Sequence, residues 1–462
     1  MTGDAIGSWR SPGGLEFRVS APQAYRLDDA TIAATFRAQL PERVADLLAI
    51  AMEVYALDRL STRSSRDPFG RGWCRELSPV LAVRDVDFWS SSEVAGTITG
   101  LLDWLTDDYW EPCFVPFRGG RSLAETQGTL FSLRPGGTAA VACFSGGLDS
   151  FGGTSIDLGE HDDLELVLVG ASGTGRARSL QRRLAEALRE RTADRVQPLL
   201  ITANLVHAKG RRQDRQHRSR GLLFLSLAAA TALVADVGEV RVYENGIGAV
   251  NLAYGRGQVG AHMSRSAHPK TLAAMQHLVD LMDVSSDIRF TLPRVFDTKA
   301  SVVRRIPDQF ADLIGTTMSC DTWSSNRQPR LAEGERYRCG CCSSCVLRRQ
   351  ALRTSGLAEL DRRERYRADV LAADVSDEDA FALRLMLGQV AELEAATRAN
   401  EPWEAMITAF PQLVDARDGL LVLGHGPDVE DRLVGLYRRY AQEWRQVQAP
   451  LVERYLGQVA AA

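Results

Sequence analysis

The residues whose types and spacing point most directly to chemistry are Ser145-Gly146-Gly147-Leu148-Asp149-Ser150. They follow an apolar run over 138–144 that reads as a buried parallel strand, and the residues from Phe151 onward can open a helix. Two glycines in a strand-to-helix turn let the chain fold tightly, so that successive N–H groups point into one concavity. A helix N-terminus behind that concavity adds partial positive charge and makes the loop a site for phosphate or pyrophosphate. Asp149 can hold magnesium or orient a polar group, and the hydroxyls of Ser145 and Ser150 can donate to phosphate oxygens. An ordinary glycine-rich turn is the plainer reading, but all six positions and a preceding strand weigh against it. The GxxxxGK[ST] spacing of kinase-type and GTPase-type loops is absent.

A second cluster is Cys320 with Cys339-Gly340-Cys341-Cys342-Ser343-Ser344-Cys345, in which two CxxC spacings share Cys342. Four thiolates at Cys320, Cys339, Cys342 and Cys345 suit tetrahedral zinc, with Cys341 left off the metal. Four protein ligands leave no open position, so such a zinc is structural. Iron–sulfur ligation is the main rival, and a redox CxxC is the weaker one. Cys74, Cys113 and Cys143 are isolated and are expected as buried apolar side chains.

Three further features can serve a nucleotide. His207-Ala208-Lys209-Gly210-Arg211-Arg212, continued by Arg215, Arg218 and Arg220, is basic and either clamps phosphates or is a solvated loop. Arg220 and Lys299 each stand at the start of an expected helix. Glu244-Asn245-Gly246 ends an expected strand and offers a carboxylate and an amide to the edge of a base, unless it is only a turn.

These groups need a frame. At 462 residues, 45% hydrophobic and 25% charged, the chain has the composition of a soluble globular protein of two or three domains. A net charge of −4 provides no global attraction to nucleic acid or to an anionic membrane. Met1-Thr2-Gly3-Asp4 opens neither a basic nor an apolar stretch, so no signal peptide is expected, and the longest apolar run, 221–235, is too short to span a bilayer. A cytoplasmic protein with reduced cysteines is expected. Residues 1–137 read as an α+β accessory domain, with strands at 15–20, 79–89 and 109–117, helices at 31–60 and 92–105, and linkers at 118–122 and 135–137. Residues 138–315 alternate strands (138–144, 164–171, 196–203, 239–244, 288–292) with helices (179–191, 221–234, 270–282), which argues for a parallel sheet covered on both faces. Ligands of such sheets sit beyond the carboxyl ends of the strands, where 145–150 fall. Residues 316–357 carry the cysteines. Residues 358–462 read as helical, with Ser376-Asp377-Glu378-Asp379 as a cap and a long amphipathic helix over 428–455.

The loop resembles the SGGxDS loop of the PP-loop ATP pyrophosphatases, which cleave ATP to AMP and pyrophosphate. Taken with Lys299 in Thr298-Lys299-Ala300, with Thr317-Met318-Ser319-Cys320, with CGCCSSCVLRRQAL from Cys339, and with Arg218-Ser219-Arg220-Gly221-Leu222-Leu223, the sequence over about 138–357 resembles the QueC (7-cyano-7-deazaguanine synthase) family. That resemblance implies a doubly wound α/β fold of the PP-loop type with a zinc-binding subdomain. It implies ATP and magnesium on Ser145, Gly146, Gly147, Leu148, Asp149 and Ser150, structural zinc on the four cysteines, and a catalytic role for Asp149, Ser145 and Lys299, to which Arg220 is added. The activity implied is adenylation of a 7-carboxy-7-deazaguanine, held near Glu244 and Asn245, followed by attack of an amine.

Departures from the family bear on the substrate. Val169-Gly170-Ala171-Ser172-Gly173-Thr174-Gly175 and Asn245-Gly246-Ile247-Gly248-Ala249-Val250-Asn251 replace the family's usual segments after the second and fourth strands. The two extensions resemble those of QueC-like proteins in bacterial anti-phage systems, including the Qat and type IV CBASS loci, which implies a protein amine as acceptor in place of ammonia. Neither a membrane nor a direct nucleic-acid partner is expected, and a homo-oligomer stays open. A degenerate PP-loop domain acting as a nucleotide-binding scaffold or sensor is the alternative from a different class.

Overall fold

The computed structural model describes residues 5–10, 16–20, 25–28, 31, 32, 35, 40–63, 74–118, 138–205, 213, 214, 217–255, 264–283, 287–322, 338–371 and 376–461. The expected linkers at 118–122 (but for Arg118) and 135–137, and the basic residues His207, Lys209, Arg211, Arg212 and Arg215, lie outside them.

The chain is mixed α/β around a mostly parallel sheet. Strands β1 (Ala5–Arg10), β2 (Glu16–Ser20), β4 (Glu76–Val83), β5 (Tyr109–Trp110) and β6 (Cys113–Pro116) form a smaller sheet, ordered β2-β1-β4-β5 with β6 also on β4. Against it stand α1 (Glu42–Leu60), which starts at Pro41 because proline fits the helix entrance, α2 (Val86–Ser90) and α3 (Ser92–Thr106). The strand expected over 79–89 therefore ends at Val83. Asp85 turns the chain by accepting from Phe88 N–H (3.1 Å), which places Trp89 on a helix. Cys74 and Cys113 are exposed, contrary to expectation. Among the described residues, the strand that carries Cys113 pairs with β4 alone.

The central sheet runs β11 (Arg289–Thr291), β10 (Glu239–Arg241), β7 (Thr138–Cys143), β8 (Leu164–Ser172), β9 (Val196–Leu205) and β3 (Tyr25–Leu27). The first five strands are parallel; β3, from the N-terminal segment, adds an antiparallel edge through Tyr25↔Leu205 and Leu27↔Ala203. Sequence patterning did not foresee that edge, because three residues carry no period of their own. Every residue of β8 is buried. Alternate side chains of β7 and β8 feed two cores: Ala140, Ala142, Leu166 and Leu168 join Leu148, Phe151, Leu184 and Leu188 on one face. Val141, Val167 and Val169 meet Leu223, Leu227 and Met275 on the other. Helices α4 (Leu148–Glu160) and α5 (Gly175–Arg191) supply the first face, and α6 (Arg220–Ala235) and α8 (Pro269–Leu281) the second. This two-sided burial is what near-continuous apolar strands require.

The second core does not stop at the sheet. It continues from Leu48 and Leu57 of α1 through α6 to Met386, Leu433 and Trp444 of the C-terminal helices. Those helices are α11 (Phe381–Thr397), α12 (Pro402–Ala409), α13 (Gln412–Val422) and α14 (Val429–Ala461). No helix among the described residues is long and apolar enough to cross a membrane.

Candidate functional site

β7 and β10 are neighbours although β8 and β9 intervene in sequence, so the strand order reverses between them. The crevice beyond their carboxyl ends is where parallel sheets place ligands, and both motifs emerge there. After β7, Gly146 takes φ +78, a left-handed backbone open to glycine at little strain. Gly147 N–H donates to Ser145 Oγ (3.1 Å), and Ser150 Oγ, 3.1 Å from Ser145 Oγ, donates to the Gly147 carbonyl (3.2 Å). The turn hands the chain to α4 with Asp149 in its first turn. At Gly153 a Cβ would stand 2.4 Å from the Tyr243 ring, so glycine there lets α4 lie close to the segment after β10.

Two side chains meet at Asp149, and a third, Glu244, stands beside it through Asn245. Lys299, the first residue of α9 (Lys299–Arg304), pairs its ammonium with Asp149 Oδ2, and both side chains are largely buried. Asn245 Nδ2 donates to Asp149 Oδ1 (2.9 Å) and to Glu244 Oε1 (3.0 Å). Asn245 Oδ1 accepts from the N–H groups of Ile247 (3.1 Å) and Gly248 (3.2 Å), capping α7 (Gly246–Val250). Asn245 is thus fully buried with its amide engaged on both sides. It orients two carboxylates and is not among the residues that line the crevice, where a base-reading role was expected of it. Glu244 does face the crevice, and burial together with the Asp149 charge pushes its carboxyl up to about 8.

The crevice is a cavity of about 620 Å³. Ser145, Gly147, Asp149, Glu244 and Lys299 line it with Met318, Ser319 and Asp321 from the segment around Cys320, and with Ser343 and Ser344 that open α10 (Ser343–Thr354). The cysteine segment is therefore a wall of the same cavity. Met318 N–H donates to the Gly146 carbonyl (3.0 Å). Behind it, fully buried Arg348 donates to Thr317 Oγ1 (2.7 Å) and the Ile314 carbonyl (2.8 Å), and Arg338 donates to the Thr317 carbonyl (2.9 Å).

The sulfurs of Cys320, Cys339, Cys342 and Cys345 all lie within 4.8 Å of one another, with Cys339 and Cys345 at 3.9 Å. Thiolates at a zinc–sulfur distance of about 2.3 Å around a tetrahedron stand roughly 3.8 Å apart. The donor set and its spacing fit a closed metal site such as zinc. Cys341 lies outside the four and contacts Arg367 (3.4 Å).

Arg220 is not brought to this cavity. It lines a second one of about 440 Å³ at the carboxyl ends of β8 and β9, with Tyr55, Arg59, Ser172, Asn204 and Phe224. Its guanidinium stacks over Phe224 at 4.7 Å. His217 lines both cavities, and Arg218 takes Arg220's expected place in the first. The junction is held from α1: Asp58, fully buried and paired with Arg75 (2.6 Å), accepts from Ser219 N–H (3.2 Å) and Oγ–H (2.7 Å). His217, Tyr254, Ser264 and Ser266 also line the first cavity with no sequence signal to mark them; Arg218 sat inside a motif and was legible only as one of several basic residues.

No protein-family model matches this chain, and no curated protein matches it in sequence.

Proposed function

We propose that this chain is a QueC-like, ATP-dependent adenylating enzyme that activates a carboxylated deazaguanine and couples it to an amine. The observation that carries the reading is the single cavity lined by Ser145 and Gly147 of the glycine turn, the Asp149–Lys299 pair and Glu244. A phosphate chain laid on Ser145, Gly147 and Ser150 meets backbone donors and the positive end of α4. Asp149, with Glu244 beside it, is the residue to hold magnesium, which when bound neutralises charge on the phosphates. The substrate carboxylate attacks the α-phosphorus, the bond to pyrophosphate breaks, and an acyl-adenylate forms. Lys299, released from Asp149 by the arriving phosphates, stabilises the charge that develops on the leaving pyrophosphate. The amine then attacks the acyl carbon, loses a proton and expels AMP. Adenylation is needed because a carboxylate is a poor electrophile until one oxygen belongs to a good leaving group. The second cavity, with the Phe224 ring and the polar edge of Asn204, is suited to the nucleoside end of ATP. The four cysteines would hold structural zinc, which when bound fixes the wall formed by Met318, Ser319 and Ser343.

The test is AMP release by the full chain with ATP, magnesium and ammonium, with and without 7-carboxy-7-deazaguanine. AMP that depends on the deazaguanine, with amide or nitrile by mass spectrometry, is the expected result. Deazaguanine-dependent AMP that stops at one equivalent directs the search to a protein amine. Bound nucleotide with no AMP under any condition overturns the reading in favour of a scaffold or sensor.

A further inference from the structure

The C-terminal helix α14 reaches the back of the catalytic cavity. Glu443, 5% exposed, accepts from Thr298 Oγ1–H at Oε1 (2.6 Å). Thr298 caps α9: its Oγ1 also accepts from Ser301 N–H (3.0 Å), and the next residue is Lys299. A hydroxyl has one proton. With it donated to Glu443, Thr298 Oγ1 accepts from Ser301 N–H and from the Ser301 hydroxyl 2.9 Å away, so the carboxyl fixes the rotor in the sense the cap needs. The same helix grips the connection leading to Thr298 at two further points. Arg439 Nη2 donates to the Phe296 carbonyl (2.6 Å), and the Arg432 guanidinium lies 3.6 Å from the Phe296 ring centre. At the neighbouring turn, a Cβ on Gly246 would stand 2.5 Å from Leu436 of α14. Burial pushes the Glu443 carboxyl up, and in either protonation state Oε1 keeps a lone pair for Thr298.

We propose that Glu443 is a positioning residue for Lys299, acting through the Thr298 hydroxyl, so that the C-terminal helical segment completes the catalytic cavity from behind. The inference rests on the reading of Lys299 as the catalytic cation. It assigns to residues 429–461 a task that packing alone does not require: the register of one ammonium against Asp149.

Glu443→Leu removes the acceptor at nearly constant volume, and Glu443→Gln keeps an acceptor at the same place. Two readouts on the full chain separate the cases: AMP release beside affinity for a non-hydrolysable ATP analogue, and acylation of Lys299 Nζ by an amine-reactive ester without substrate, read by peptide mass spectrometry. For Glu443→Leu, kcat should fall about tenfold or more while analogue affinity stays within about twofold, and Lys299 should be acylated at least about threefold faster. Glu443→Gln should restore both, and Tyr437→Phe, on the same helix, should change neither. Wild-type kcat and labelling in Glu443→Leu, or equal damage in both Glu443 variants, overturns the proposal. If Glu443→Leu does not fold, Thr298→Val against Thr298→Ser asks the same question from the other end of the bond. A wild-type chain that releases no AMP defeats the functional reading, while the labelling still decides the positioning of Lys299.

Discussion

At the cysteine centre, three of the four sulfurs come from residues 339–345 and the fourth from 19 residues upstream. At the Asp149 carboxylate, by contrast, one partner arrives from 96 residues away and the other from 150. Neighbours of the cysteines wall the cavity that Asp149 lines, yet the two sites are assembled on different principles. A metal centre needs only donors of one kind at one spacing, and the ion itself provides the energy that gathers them. The rim has no such agent. Asp149, Asn245, Glu244 and Lys299 stand together because the sheet brings the ends of β7 and β10 side by side and because α9 begins where it does. A local centre should therefore fail all at once and take structure with it. A distributed rim should lose chemistry by degrees while the fold survives.

The largest effect expected is at the centre. Cys342→Ser should lose stoichiometric metal and destabilise the chain by roughly 4–5 kcal/mol or more, read by metal analysis and a denaturant melt. Retained metal with an unchanged midpoint would show that the four thiols do not act as one site. At the rim, Asp149→Asn should lower AMP release about 100- to 1,000-fold while shifting the melt little. A loss below threefold would remove Asp149 from the chemistry, and a collapse of the fold would erase the contrast between the two regions.

A smaller effect concerns Glu244. Its carboxyl titrates at 4.5 in an unfolded chain and at about 8 in the folded one. Between those values the folded chain holds a proton that the unfolded chain has released, so raising the pH favours unfolding. The stability of the wild type relative to Glu244→Gln should decline from about pH 5 to pH 8, and part of that slope should vanish in an Asp149→Asn background. A difference that is flat across the window contradicts the assignment. The smallest effect expected is for Arg220→Ala. Placed on the second cavity, it should raise the KM for ATP while changing kcat by less than about threefold; a collapse of kcat would return Arg220 to the pyrophosphate.

Much of this was legible in the chain. The strand, glycine turn and helix at 138–160 follow from local period and conformational preference, and Gly146 takes the positive φ that such a turn needs. Lys299 stood at a helix start with Thr298 before it as a cap. The two residues placed elsewhere than expected share one cause. Asn245 and Arg220 are polar residues at strand and helix ends, and residue type does not say which way a side chain turns. For Asn245 the uncapped N–H groups of Ile247 and Gly248 decide; for Arg220 it is the second cavity and the Phe224 ring.

What the amino-acid order determined by itself is what depends on neighbours within a few residues: the turn at 145–150, the spacing of Cys339, Cys342 and Cys345, and the apolar runs that become β7 and β8. What only the tertiary structure decided is everything set by packing across the sheet. That includes the antiparallel edge β3, the cysteine segment as a wall of the same cavity, and Glu443 behind Thr298. The physical reason is range. Dihedral preference and hydrophobic period act along the chain over one or two turns, whereas a buried hydroxyl 145 residues from its acceptor is placed by the shape of the whole core.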